Sequence, residues 1–130
     1  MESFNFKNFI EPLREKYKKL EPIFCPYIND TVYFNAAGFN HLIWKSSMGM
    51  RSQSVIQERF LALDVVIEIL SKSGTLQEYE YFDKEFLCFI AIVNNKKYKV
   101  VITKSGDTKY KFVSVIPKWK TGKRDELLAN

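Results

Sequence analysis

His41 is the only histidine in the chain, and imidazole is the one side chain whose ordinary pKa lies near neutrality. It stands in the run Gly38-Phe39-Asn40-His41-Leu42-Ile43-Trp44-Lys45. Lys45, four residues on, shares a helical face with it, and a cation there lowers the imidazole pKa and attracts phosphate. Two roles are open for His41: proton transfer, or packing beside Trp44 with a hydrogen bond to a backbone carbonyl. Arg51 follows in a loop, where a guanidinium can fork onto a phosphate or simply face solvent. Lys99 and Ser114 are expected to pair across two strands, an ammonium and a hydroxyl able to hold one phosphate oxygen. Lys118-Trp119-Lys120 interleaves cations with an indole that could stack on a base or cover a sheet edge. Arg59 flanks a helical apolar stripe, where a salt bridge to Glu58, Asp64 or another carboxylate is the expected role.

Absences narrow the chemistry. There is no Walker-type glycine loop, no GxGxxG and no GxSxG. One histidine and two cysteines without CxxC spacing make a structural zinc site improbable, and the carboxylates are scattered rather than clustered as a metal-dependent nuclease needs. No metal and no cofactor are expected. Phosphodiester chemistry would then run on His, Lys or Arg, and hydroxyls. The charge is uneven: Lys96 to Arg124 holds ten cations and one acid, whereas residues 1–95 carry ten cations and twelve acids. A cationic last third suits a polyanion. No apolar run is long enough to cross a membrane, and the first residues lack a secretory pattern, so a cytoplasmic setting is expected.

These side chains need elements to position them. Phe6, Phe9, Ile10, Leu13, Tyr17 and Leu20 recur at helical spacing, predicting a helix over 4–20. Pro22 and Pro26 bracket a loop. Thr31–Phe34 is a short β-prone run, and Asn35 can cap a helix over about 36–45 that carries His41. A longer helix is expected from Gln53 to Ser71, with Ile56, Phe60, Leu63, Ile67 and Leu70 buried and Gly74 at its C-terminal cap. Strands are expected over 76–82, 85–93, 97–104 and 109–116, with Asn94-Asn95 and Gly106-Asp107 as tight turns. The pattern predicts an α+β domain: N-terminal helices packed on one face of a four-stranded antiparallel sheet.

Those turns imply a register. A Gly106-Asp107 loop sets Lys99 opposite Ser114, Val101 opposite Phe112 and Thr103 opposite Tyr110; an Asn94-Asn95 loop sets Ile90 beside Lys99 and Cys88 beside Val101. Leu87, Phe89, Ala91, Tyr98, Val100, Ile102, Val113 and Val115 then face the helices. The other face gathers Lys97, Lys99, Thr103, Tyr110 and Ser114, and the expected site lies there.

The order of GFNHLIWK, an arginine near a small-residue break, a long helix with ERFLAL, and basic strands KYKVVITK and KYKFVSVIPKWK resembles the barnase–EndoU–colicin–RelE-like (BECR) nucleases of phage and mobile elements. The resemblance spans about residues 31–118, leaving 1–30 as an N-terminal helical segment and loop and 119–130 as a charged tail. It implies metal-independent RNA cleavage, often by toxins acting on tRNA or mRNA and opposed by a cognate antitoxin or immunity protein. Matched position by position, the helical histidine is His41, the basic loop residue Arg51 and the late-strand hydroxyl Ser114. The basic strand residue is Lys99 or Lys104; these point to opposite faces, and Lys99 is preferred. An arginine expected near that strand end is replaced by Ile102-Thr103-Lys104.

The expected reaction uses the ribose 2′-OH as nucleophile and leaves a 2′,3′-cyclic phosphate. His41 would move a proton, Arg51 and Lys99 would neutralise the phosphorane, and Ser114 or Thr103 would orient it. Lys45, Lys104, Tyr110, Lys118 and Trp119 would hold the RNA. The alternatives are a non-catalytic RNA- or DNA-binding module or phage accessory interaction domain using the same basic sheet, or a scaffold that has lost its activity.

Overall fold

A computed structural model describes residues 5–45, 49–72, 78–81, 85–104 and 109–117. The elements run α1 (Phe6–Lys18), β1 (Ile23–Cys25), β2 (Asp30–Tyr33), α2 (Ala36–Ile43), α3 (Gln53–Leu61), α4 (Leu63–Lys72), β3 (Glu78–Tyr81), β4 (Glu85–Val93), β5 (Lys96–Lys104) and β6 (Tyr110–Ile116). Side-chain caps start three of the helices. Asn5 accepts from the Asn8 N–H at 3.1 Å, Asn35 from Gly38 at 3.2 Å and Ser52 from Val55 at 3.3 Å, each satisfying an N–H that has no partner within its helix.

The sheet is mixed, in the order β1-β2-β6-β5-β4-β3. This corrects the expectation of four antiparallel strands: five strands have four or more residues, a three-residue strand forms one edge, and the sheet curls into a half-barrel. Two features escaped the pattern. Ile23–Cys25, between the prolines, pairs with β2 rather than looping. β2 in turn lies parallel to β6, through Val32↔Tyr110 and Tyr33↔Lys111. The chain leaving β2 passes through three helices and three strands before returning, ample length for a parallel crossover, and short strands far apart in sequence leave no local signal of their pairing.

The helix expected over 53–71 divides at Ala62 into α3 and α4. The buried stripe accordingly runs Ile56, Phe60, Leu63, Val66, Ile69 and Leu70, with Ile67 only half-buried. Side chains from all four helices and from the sheet form one core; Ile10, Tyr17, Phe39, Leu42, Phe60 and Leu70 meet Val32, Phe89, Val100, Ile102, Phe112 and Val115.

The β4–β5 register is as expected, with Ile90↔Lys99 and Cys88↔Val101, and Asn94 and Asn95 both take positive φ (52° and 65°) in the turn. The β5–β6 register differs. Lys99 faces Ile116, Val101 faces Ser114, Thr103 faces Lys111 and Lys104 faces Tyr110. The register shifts between Val101 and Ile102, which leaves Val113 as an extra, bulged residue on β6. Since a one-residue slip moves side chains to the other face, Phe112 enters the core instead of Val113, and Tyr110 packs against the core rather than beside Lys99. The Gly106-Asp107 turn and the Gly74 cap lie outside the described residues.

Candidate functional site

β2 pairs with β6 only through Tyr110 and Lys111. Beyond that point the β6 edge is covered by helices, and the site forms there. α2 approaches most closely at Gly38: a Cβ at this position would lie 2.7 Å from the Phe112 carbonyl oxygen and 2.6 Å from the Tyr17 hydroxyl. Only glycine lets the helix sit this near the strand. Tyr17 donates to the Asn35 carbonyl at 2.7 Å, fixing the start of the helix, and burial pushes its phenol well above the ordinary range.

The end of α2 is folded back on itself. Lys45 N–H donates to the Gly49 carbonyl and Arg51 N–H to the Ile43 carbonyl, each at 2.8 Å, and Trp44 bridges to Met50. Gly49 takes φ +93°, a conformation that glycine adopts without strain. This closure returns Arg51 to the helix, where its Nε donates to the His41 carbonyl at 3.1 Å. His41 itself is exposed, on a shallow cleft shared with Ala37, Asn40 and Trp44.

Arg59 of α3 completes the group. Its Nη1 donates to the Val115 carbonyl at 2.8 Å and lies 3.5 Å from Ser114 Oγ, the limit of a hydrogen bond. Its Nε is buried and has no hydrogen-bond partner among the described residues. Burial, and then the charge of Arg51, pull the Arg59 guanidinium down to about 10, against the opposing charge of Glu58. Arg51 is likewise lowered by burial. Among the described residues neither arginine forms an ion pair with a carboxylate. Two cations are thus packed within each other's field, beside a hydroxyl and beside the residue that carries the sole imidazole.

Arg51 therefore bonds the backbone of His41, and Ser114 borders Arg59, a residue expected to make only a salt bridge. Its signal in the sequence was position: Arg59 flanks the buried stripe between Ile56 and Phe60, where a long cation must either snorkel out or find a partner on the sheet. Lys99 does not join them. It alternates with Tyr98 and Val100, which enter the core, so it projects from the face of the sheet opposite the helices, and its cross-strand neighbours are Ile90 and Ile116 rather than Ser114. Lys97 and Thr103 share that outer face by the same alternation, and Thr103 is buried there opposite Lys111. Tyr110 leaves the expected group and lies under Lys104, whose Nζ is 5.1 Å from the ring centroid. Lys45 is exposed beside Trp44. Lys118 and Trp119 lie outside the described residues.

Among the described residues no group of three or more His, Cys, Asp or Glu could hold a metal ion. Both cysteines are buried and neither is in a disulfide, and burial raises the Cys25 thiol. No protein-family model, curated protein or solved structure matches the chain.

Proposed function

We propose that this chain is an RNA-cleaving enzyme whose phosphate site is the Arg51–Arg59 pair at the edge of β6. The observation that carries the reading is the Arg59 guanidinium: its Nε is buried without a hydrogen-bond partner, it lies in the field of Arg51, and among the described residues neither arginine is in an ion pair. A phosphodiester relieves both the repulsion and the unmet donor, and a guanidinium matches its oxygens in a fork. The one titratable group of neutral range belongs to the residue whose carbonyl Arg51 bonds, and the Ser114 hydroxyl borders Arg59.

In this reading the ribose 2′-oxygen attacks phosphorus and the bond to the 5′-oxygen breaks. The proton of the 2′-OH is taken up on one side and one is delivered to the leaving oxygen on the other, so the products are a 2′,3′-cyclic phosphate and a 5′-hydroxyl. His41 carries one of these transfers, a contribution of about 10²–10⁴-fold. Arg51 and Arg59 bear the charge that builds on the phosphorane, and Ser114 orients it. Lys45, next to Trp44, and Lys104, at the end of β5, contact the flanking backbone. Lys97, Lys99 and Lys111 lie on the outer face of the sheet, away from α2, and add to the field that draws RNA in. An antitoxin or immunity protein that covers the arginine pair would suit such an enzyme.

The test is purified chain with single-stranded RNA and with tRNA in excess EDTA. Wild type yields fragments ending in cyclic phosphate, and His41→Ala loses at least about 100-fold in rate. RNA that binds but stays intact in every case would instead favour a binding module on the same cations.

A further inference from the structure

An exposed aromatic pair stands beside His41. Trp44, at the end of α2, is 41% exposed and Phe6, at the start of α1, is 39% exposed. Their ring centroids are 5.8 Å apart at a tilt of 38°. Phe6 thus backs the indole from one side and holds it as a fixed surface. Trp44 also lines an open cleft of about 290 Å³ with Ala37, Asn40 and His41. These positions recur at three- and four-residue spacing, so one face of α2 offers a small residue, an amide, an imidazole and an indole in sequence.

Two large rings left in water at the helix ends do not serve the core. They do suit a base. Every base has a π-face, an indole stacks on it, and an amide such as Asn40 can both donate to and accept from its edge. The surroundings suit an anionic chain: Lys45 follows Trp44, and Arg51 is bonded to the carbonyl of His41. A base inside a duplex is already stacked on both faces and is not available to such a platform.

We infer that Trp44, backed by Phe6 and bordered by Asn40, stacks an unpaired nucleobase of the RNA beside His41 and so restricts the substrate to single-stranded segments. The inference rests on the RNA reading above and deepens it: the arginine pair holds the phosphate, and the indole selects unpaired structure.

The experiment uses the full chain carrying Trp119→Phe, which leaves Trp44 as the only tryptophan. Its fluorescence is titrated with a single-stranded RNA dodecamer and with the same sequence fully paired. Saturable quenching by the single strand is expected, with at least about tenfold more duplex needed for the same effect. In the otherwise wild-type chain, Trp44→Ala should raise KM for the single strand roughly 5- to 150-fold, with kcat changed less than about threefold, and Trp44→Phe should restore most of the loss. Equal quenching by both forms, or an unchanged KM in Trp44→Ala, overturns the inference. If Trp44→Ala does not fold by circular dichroism, the titration and the KM of Asn40→Ala decide, that variant being expected to weaken single-strand binding. Quenching by the single strand without any cleavage would uphold the stacking site while overturning the cleavage reading.

Discussion

Guanidiniums packed within each other's field gain nothing from their neighbour until an anion arrives. That makes Arg59 the residue whose replacement is most informative. Arg59→Gln keeps a donor near Val115 but removes the charge, and we expect kcat/KM for RNA to fall about 10²- to 10³-fold, measured at pH 7. Inorganic phosphate should raise the Tm of wild type, and this gain should shrink in Arg51→Gln and in Arg59→Gln, as differential scanning fluorimetry will read. The pH dependence has a defined sign. A base held at about 10 in the folded chain and near its ordinary, higher value in the unfolded one binds fewer protons when folded in that interval. Stability relative to Arg59→Gln therefore rises as pH climbs through about 10 and is lowest below it, where both states are charged. Urea melts of the two proteins between pH 8 and 11 check this. The sequence pointed to His41, Arg51 and Ser114 by type and by order, and Arg51 bonds the backbone carbonyl of His41. It could not point to Arg59, because which sheet atom a helix-flanking arginine meets depends on how α3 lies over β6.

At the scale of elements, the site depends on α2 lying close against β6. Gly38→Ala would put a methyl 2.7 Å from the Phe112 carbonyl oxygen and 2.9 Å from the Phe112 ring, and a backbone oxygen within a packed strand has little room to yield. Helix propensity favours alanine by about 1 kcal/mol, yet overpacking of this kind costs about 1–3 kcal/mol. Chemical denaturation should show a net loss of stability, and RNA cleavage should fall with it as the Arg51 loop is displaced. Local elements were legible because their signals are local: helical spacing in α1, the Asn35 cap of α2, and the Asn94-Asn95 turn that set the β4–β5 register. The β5–β6 register was not, since it followed from an assumed two-residue turn, whereas pairing begins at Lys104↔Tyr110 and a bulge falls at Val113. That bulge brings the Val115 carbonyl and Ser114 to Arg59 while Phe112 stays in the core. The division of the 53–71 helix at Ala62 was equally hidden, because alanine favours helix and nothing at that position signals a break.

For the whole molecule, the formal net charge is +5, with the cations gathered late in the chain. No helix among the described residues is long and apolar enough to cross a membrane. If RNA binds at the half-buried arginines, as proposed, its affinity should be dominated by released counterions. The logarithm of the association constant for single-stranded RNA should fall linearly with the logarithm of salt concentration, by about 0.7 per phosphate neutralised. Arg59→Gln should reduce that slope by about 0.7, as fluorescence anisotropy at several salt concentrations will measure. The pairing of β2 with β6, which sets where the parallel junction ends and the helix-covered edge begins, joins residues nearly eighty apart. Composition and periodicity carry no record of such a contact. The most direct measurement is end-group mapping of RNA incubated in EDTA with wild type and with Arg59→Gln. New 2′,3′-cyclic phosphate ends with wild type and at least about 100-fold fewer with the variant are predicted; intact RNA, or equal cleavage by both proteins, would contradict the account.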